Sequence, residues 1–356
     1  MNTAEGGCRA TVACSGCGTI QRLPVLEPAS EARCRRCSTV LQHSSRRSAA
    51  AGLACATAAL VLLIVGNLMP SLRSHLLAAT TETRVIDGSL AYWHTGRPLM
   101  AAFVAAFVVA IPLGRSAMLV GVLGSLGLGR RRPWQGPVLR WAEGLRLWSM
   151  APVYVVAGLV TYGRVAAQLD IKILAAGWAF VAGALLLLVA GAAYDTRRVW
   201  QDIMPDRAAP PQGPAFGCAS CGFVVPEAAE GERCPRCRLR LRRRKPHPMR
   251  LVAALTLAGF VLYPAALLLP MTQTMQPGGL VLRTRLHRII DEINHWSFVD
   301  PFIVAMTAPL MAYPSIANVH AGPGALPFAL VVVLTMLTSG YFDTRLMWDA
   351  AEGADE

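Results

Sequence analysis

Three stretches of this chain, 48–72, 173–194 and 251–282, run without a single charged side chain. The hydrocarbon core of a bilayer is about 30 Å thick and takes roughly 20 apolar residues of helix to cross. A soluble core does not account for that many uncharged runs in 356 residues, 54% apolar and only 15% charged. The chain therefore reads as an all-α polytopic membrane protein. Its formal charge of +13 comes almost wholly from arginine, since Lys172 and Lys245 are the only lysines. The arginines gather beside apolar segments, at 46–47, 130–132, 197–198 and through 238–250. A nucleic-acid binder would spread them over one soluble face. Loops held on the cytoplasmic side of a membrane fit better, and no nucleic acid is expected as a partner. The first 45 residues are polar and cysteine-rich with no signal peptide, which keeps the N-terminus in the cytosol.

Eight of the ten cysteines fall into four CxxC pairs. Cys14, Cys17, Cys34 and Cys37 make one set; Cys218, Cys221, Cys234 and Cys237 make the other. A CxxC on a tight turn offers two thiolates, and a second such turn one hairpin later completes a tetrahedron. Gly16, Gly18 and Gly222 stand where such turns need them. A reducing cytosol disfavours disulfides, so both sets read as zinc ribbons, each holding one structural Zn2+. Cys8 and Cys55 are left over.

The chain repeats itself. Trp148-Ser149 recurs as Trp296-Ser297 and Asp195-Thr196-Arg197 as Asp343-Thr344-Arg345, both at an offset of 148. The ribbons and Leu68-Met69-Pro70 recur at offsets of 200–204. Between Pro70 and Trp148 lie 77 residues, but between Pro270 and Trp296 only 25, so the second copy lacks 52. The expected division is ribbon 1 over 1–45, a four-helix bundle over 46–202, ribbon 2 over 203–245, a truncated bundle over 246–349, and an acidic tail over 350–356. About seven spans follow, four in copy one (49–71, 98–121, 147–168, 173–194) and three in copy two (250–271, 297–317, 325–342). The segments 73–97 and 170–172 are expected as outer loops, and 130–146 as a basic connector inside.

Within the spans, Arg115 lies between two apolar runs, and snorkelling to the headgroups is its plainer reading. Asp300 heads the sixth helix, either as an N-cap or as a functional charge. His287, Asp291 and His295 share one helix face, where an amphipathic juxtamembrane helix is a plainer account than a metal site. The chain carries no GxxxxGK[ST], HExxH or GxSxG. No enzymatic activity is expected.

The whole pattern resembles the paraquat-inducible protein A family of bacterial inner-membrane proteins. The resemblance rests on the ribbons, on Asn67-Leu68-Met69-Pro70, on Trp148-Ser149-Met150 and Trp296-Ser297-Phe298, and on the closing Tyr194-Asp195-Thr196-Arg197 and Phe342-Asp343-Thr344-Arg345. It implies an inner-membrane, multi-pass protein that passes membrane lipids to a periplasmic MCE-domain partner. Asn67, Pro70, Arg115, Trp148, Asp195, Arg197, Trp296, Asp300, Asp343 and Arg345 are the candidate lipid-path or motif residues. The family's acidic residue four after the bundle tryptophan is present as Asp300 but replaced by Pro152 in copy one. Two other readings stand beside this one: a membrane-tethered ribbon protein that binds a cytosolic partner, and a small-solute transporter.

Overall fold

The computed structural model describes residues 10–23, 30–43, 49–76, 79–94, 96, 98–165, 170–206, 211–244, 248–268, 272–275, 318–321 and a few positions between 327 and 337. Two short hairpins come first: β1 (Ala10–Ala13) with β2 (Ile20–Leu23), and β3 (Glu31–Arg33) with β4 (Val40–His43). They are followed by α1 (Ala49–Leu68), an uncharged helix whose end is set by Pro70. The chain then turns into β5 (Leu72–Leu76) and β6 (Ala79–Thr83).

The stretch expected as an outer loop is thus partly sheet. β5 is the middle strand, antiparallel to β6 on one side and to β7 (Asp170–Ile173) on the other. Arg73 stands opposite both Glu82 and Lys172 and pairs with Glu82 at 2.6 Å. Alternating Thr and charged residues suit a sheet with a wet face, but a run this short and polar carried no readable strand signal. A short helix, α2 (Asp87–His94), fills the rest of that segment, with Asp87 accepting from the Arg84 amide.

The second span is longer than expected. It runs over 30 residues as α3 (Pro98–Val104), a π-helical stretch over Ala105–Ala110, and α4 (Ile111–Gly127). Pro112 explains the π turn and what docks there. In the π register the Ile111 amide reaches Ala106 O, so Phe107 O would need an amide from residue 112, where proline has none. The Met150 amide supplies it instead, at 3.2 Å, and Trp148 packs on Phe107 with ring centroids 5.5 Å apart.

The basic connector is also more than a loop: it contains α5 (Gln135–Gly144), packed along α4. α6 (Ala151–Val165) has 15 residues, about 22 Å of helix, and is shorter than the span expected over 147–168. α7 (Ala175–Ala193) is again uncharged, and α8 (Thr196–Ile203) leaves it at an angle after Tyr194 and Asp195. The second ribbon contains β8 (Ala215–Gly217) and β9 (Val224–Pro226), and α9 (Pro248–Leu268) follows it. Finally β10 (Thr272–Met275) pairs antiparallel with β11 (Asn318–Ala321), Thr272 opposite Ala321.

Among the described residues, three helices are long and apolar enough to cross a membrane: Ala49–Leu68, Pro98–Gly127 and Ala175–Ala193. Shorter apolar stretches lie in α6 and α9. The expected spans 297–317 and 325–342 fall almost wholly outside the described residues. α1 and α7 pack tightly because glycines let them approach: a Cβ on Gly66 would meet the Phe180 backbone at 2.9 Å, and one on Gly183 would meet Leu63 at 3.1 Å. Small residues at such contacts are how helices associate where water supplies no hydrophobic drive. The bundle has two distinct ends, one carrying the three-stranded sheet and the other the ribbons.

Candidate functional site

Each CxxC sits at the tip of a hairpin. The first cysteine's amide is closed by a carbonyl five residues on: Cys14 to Thr19, Cys34 to Thr39, Cys218 to Phe223 and Cys234 to Leu239, at 2.8–2.9 Å. The residue after the second cysteine has a left-handed backbone at all four tips: Gly18, Ser38, Gly222 and Arg238, with φ of 57–81°. Glycine takes this conformation without cost, and at Ser38 and Arg238 the knuckle imposes it. The turns bring Cys14, Cys17, Cys34 and Cys37 together, and likewise Cys218, Cys221, Cys234 and Cys237, with all sulfurs of a set within 4.8 Å of one another. The nearest Sγ–Sγ separations are 3.4–3.7 Å. Tetrahedral sulfurs at metal–sulfur distances of about 2.3 Å would stand about 3.8 Å apart. The donor chemistry agrees: burial pushes the Cys14 thiol up to about 12 while, against burial, hydrogen bonds from Thr39 bring Cys37 down to about 6, and Cys218 pushes its neighbour Cys221 strongly upward as it is itself pushed down. Four such sulfurs can all be thiolates only around a cation. Each set could therefore hold one metal ion, with no open position for a water.

The two ribbons differ in their surroundings. Ribbon 1 has a small core of its own, made by Val12, Leu23, Ala32 and Leu41 around its cysteines. Ribbon 2 shares one continuous core with the helices, in which its cysteines, Phe216, Phe223 and Leu241 join Leu119 and Leu123 of α4, Leu139 of α5 and Val199 and Trp200 of α8. The ribbon that precedes α9 thus caps the bundle built from α1, α4 and α7. Gly136 of α5 lies against the backbone of Arg236, where any Cβ would collide, and Arg140 donates to Cys237 O at 3.2 Å. Ribbon 1 reaches the bundle through ribbon 2: β1 lies on β8 and β9, and a Cβ on Gly217 would collide with Ala13.

Asp195 and Arg197 belong to this junction. Asp195 caps α8, its Oδ1 accepting from the Arg197 amide at 2.9 Å. The Arg197 guanidinium reaches Asp206 at 2.7 Å and lies 3.7 Å from where a Cβ on Gly222, in the first knuckle of ribbon 2, would be. Arg236, inside the second knuckle, pairs with the other Asp206 oxygen at 2.8 Å, donates to Met204 O and covers the ring of Phe223 at 4.8 Å. Asp206 and Arg236 are 2% and 1% exposed in their side chains. Asp206 was missed in the sequence: it stands in a polar linker and has no counterpart in the repeat. Phe223, the one aromatic between the cysteines of either ribbon, is buried and presents nothing to a partner.

The remaining candidates are spread along the bundle. Arg115 does not snorkel. It is 3% exposed, its Nε donates to Ala142 O at 3.3 Å, and it lies beside Gly191 next to the Tyr194–Glu143 hydrogen bond. The return of α5 along α4 covers it, and that return was not visible in the sequence. Asn67 is buried at the end of α1, donating to Leu63 O at 2.7 Å, while its Oδ1 has no partner among the described residues. Pro70 follows, and Ser71 hands the chain to the sheet through Thr83 O. Trp148 lies on the π turn, away from the ribbon junction. Trp296, Asp300, Asp343 and Arg345, and with them the His287, Asp291 and His295 face, fall outside the described residues.

At the sheet end is a feature with no single motif. A cavity of about 230 Å³ lies between α6, α7 and the sheet. Tyr154, Val155, Phe180 and Val181 form its walls, Ile171 and Val85 close it under the sheet, and exposed Arg84 lines its rim. Leu159 and Trp178, 71% and 60% exposed, flank it on the outer surface of the bundle. Tyr154, Gly158 and Tyr162 follow one another at helical spacing on α6 and line one side of it.

The sequence model of the family described as paraquat-inducible protein A matches residues 50–204 and 273–352. The chain belongs to that family. It is similar to the intermembrane transport protein PqiA of Escherichia coli K12, 24% identical over 401 aligned positions that cover 95% of each chain. It is similar also to the lipophilic envelope-spanning tunnel protein A of the same organism, 26% identical over 96% of this chain and 92% of that one. A probable intermembrane transport protein of Haemophilus influenzae is 23% identical over 94% and 95%. No solved structure matches significantly. The matched region includes α1 to α8 and the three-stranded sheet, while ribbon 1, the cysteines and strands of ribbon 2, and α9 lie outside it.

Proposed function

We propose that this protein carries lipid between the inner membrane and a periplasmic MCE-domain tunnel, with two structural zinc ions bracing it on the cytosolic side. The observation that carries the reading is the apolar cavity between α6 and α7. It is open on the lipid-facing flank at Leu159 and Trp178, roofed by a sheet on the side opposite the ribbons, and has a cation at its rim. A volume of about 230 Å³ is below the roughly 300–1,000 Å³ of drug-sized ligand sites. It suits one acyl chain entering sideways, with the headgroup at Arg84. The names of the similar proteins, which speak of intermembrane transport and an envelope-spanning tunnel, support transport between membranes. The arginine-rich ribbon end is read as cytosolic by the charge rule.

The shortened second copy is part of the same proposal. The β10–β11 pair supports it, because Thr272 opposite Ala321 repeats Leu72 opposite Ile173 at the offsets of 200 and 148 found in the sequence. The alignment with PqiA, at 401 positions, is longer than this 356-residue chain, which agrees with segments missing here. In sequence, copy two lacks 52 of the residues that lie between Pro70 and Trp148 in copy one, the interval that holds the α3–α4 span, and the first copy is assigned the lipid site.

The test is purification from the native host in mild detergent. The protein is expected to bring down an MCE-domain protein together with phospholipid at roughly equimolar level. A clean preparation with neither, from cells expressing both genes, sinks the reading.

A further inference from the structure

Far from the lipid cavity, four arginines surround a dent of about 470 Å³ on the surface of ribbon 2: Arg140, Arg233, Arg238 and Arg240. We infer that this dent is a phosphate-binding site. The arginines are brought together by structure. Arg233 and Arg240 are directly opposite in an antiparallel bridge, so both project from one face of the hairpin. Arg238 is held at φ 60° by the knuckle, immediately after Cys237. Arg140 comes from α5, tethered by its bond to Cys237 O. Arg240 Nε is held by Gly231 O at 3.2 Å, which fixes its fork relative to the dent.

Among the described residues, nothing neutralises this cluster. Among the described residues the acids of the same hairpin are used elsewhere or stand apart: Glu227 pairs with Arg243 at 2.9 Å, Glu230 accepts from the Arg243 amide, and Glu232 makes no ion pair. Four like charges around one concavity are unfavourable unless an anion joins them. Planar guanidinium forks match phosphate oxygens two at a time. The surroundings indicate where that phosphate comes from. Trp141, next to Arg140 and 59% exposed, has the Arg140 guanidinium 5.9 Å from its ring centre, and Trp134, two turns earlier on the same face, is 42% exposed. Exposed tryptophans beside arginines mark the headgroup layer of a membrane. A free phosphate offers the same chemistry, and the test separates the two.

The full-length protein, delipidated in detergent, is titrated with short-chain phosphatidylglycerol, short-chain phosphatidylcholine and inorganic phosphate, following binding by thermophoresis. The comparison variant is R233Q/R238Q/R240Q, which leaves Arg140 and its bond to the knuckle intact. Phosphatidylglycerol is expected to bind the unaltered protein about tenfold more tightly than the variant, with phosphatidylcholine weak on both. Inorganic phosphate binding with the same arginine dependence, and no advantage for the lipid, assigns the site to the free anion. Equal affinity of variant and unaltered protein for every probe overturns the site. So does a single-stranded oligonucleotide that outcompetes both phosphate probes through the same arginines. R238N alone, which tolerates the left-handed backbone, serves if the triple variant melts early, and is expected to lose about threefold.

Discussion

Replacing Cys237 by serine is expected to remove the folded bundle along with the ribbon. The sulfur of Cys237 is fully buried in the core that also contains Leu119, Leu123, Leu139 and Trp200, so the second thiolate centre is a structural element of the helices. Metal binding at a ribbon contributes about 10–16 kcal/mol to its folding, as large as the whole stability of a typical domain at about 5–15 kcal/mol. Without it the ribbon opens, and α5 and α8 lose the surface onto which Gly136 and Val199 pack. Size-exclusion chromatography in detergent should show the monodisperse peak of the C237S protein reduced more than tenfold. C37S, in ribbon 1, is the matched control: its core is self-contained, and Cys37 is the least buried of its set. That protein should keep its peak and lose one of two equivalents of metal. Equal behaviour of the two variants would show that ribbon 2 is not part of the bundle's core.

The second large effect is expected from D206A. Asp206 bridges Arg197 and Arg236 at 2.7 and 2.8 Å, with the Arg236 side chain only 1% exposed. Burial already pushes the Arg197 guanidinium downward against the attraction of Asp206. Removing the carboxylate leaves two buried cations facing each other, a loss of about 3–5 kcal/mol. For a body of this size that lowers the melting temperature by about 10 °C. The informative companion is the triple variant R197M/D206L/R236M. Replacing a buried ion network by apolar side chains of similar volume is often neutral, so its melting point should recover most of the loss. A D206A protein that melts within 2 °C of the unaltered one would remove the ion bridge from the account of how α8 is held on the ribbon.

How much of this was readable in the sequence depends on the range of the physics involved. The thiolate sets were legible because a CxxC tip needs only local geometry, and the uncharged runs of α1 and α7 because crossing a bilayer is a matter of length and composition. The broken second half of copy one was legible only in part. Trp148-Ser149-Met150 is conspicuous as a repeat, yet its purpose depends on Pro112 depriving Phe107 O of a donor forty residues earlier. Arg115 was misread because the cover over it, Ala142 on α5, arrives through a connector whose arginines look like an ordinary cytosolic loop. The sheet was missed for the same reason: β5 and β7 are too short and polar to announce themselves, and 93 residues separate them. The docking of ribbon 2 on the first bundle depends on Gly136 and Asp206, neither of which belongs to any motif. The cavity is assembled from four stretches, 71–72, 83–85, 154–162 and 171–181, which no motif along the chain brings together.

The cavity between α6 and α7 is proposed to hold lipid. A photo-crosslinking amino acid placed at Val181, on the cavity wall, and in a second protein at Leu188, on the same helix but 57% exposed, tests it after annular lipid has been stripped in detergent. Mass spectrometry should find a phospholipid adduct at position 181 and little at 188. Equal labelling at the two positions, or none at 181, would contradict it.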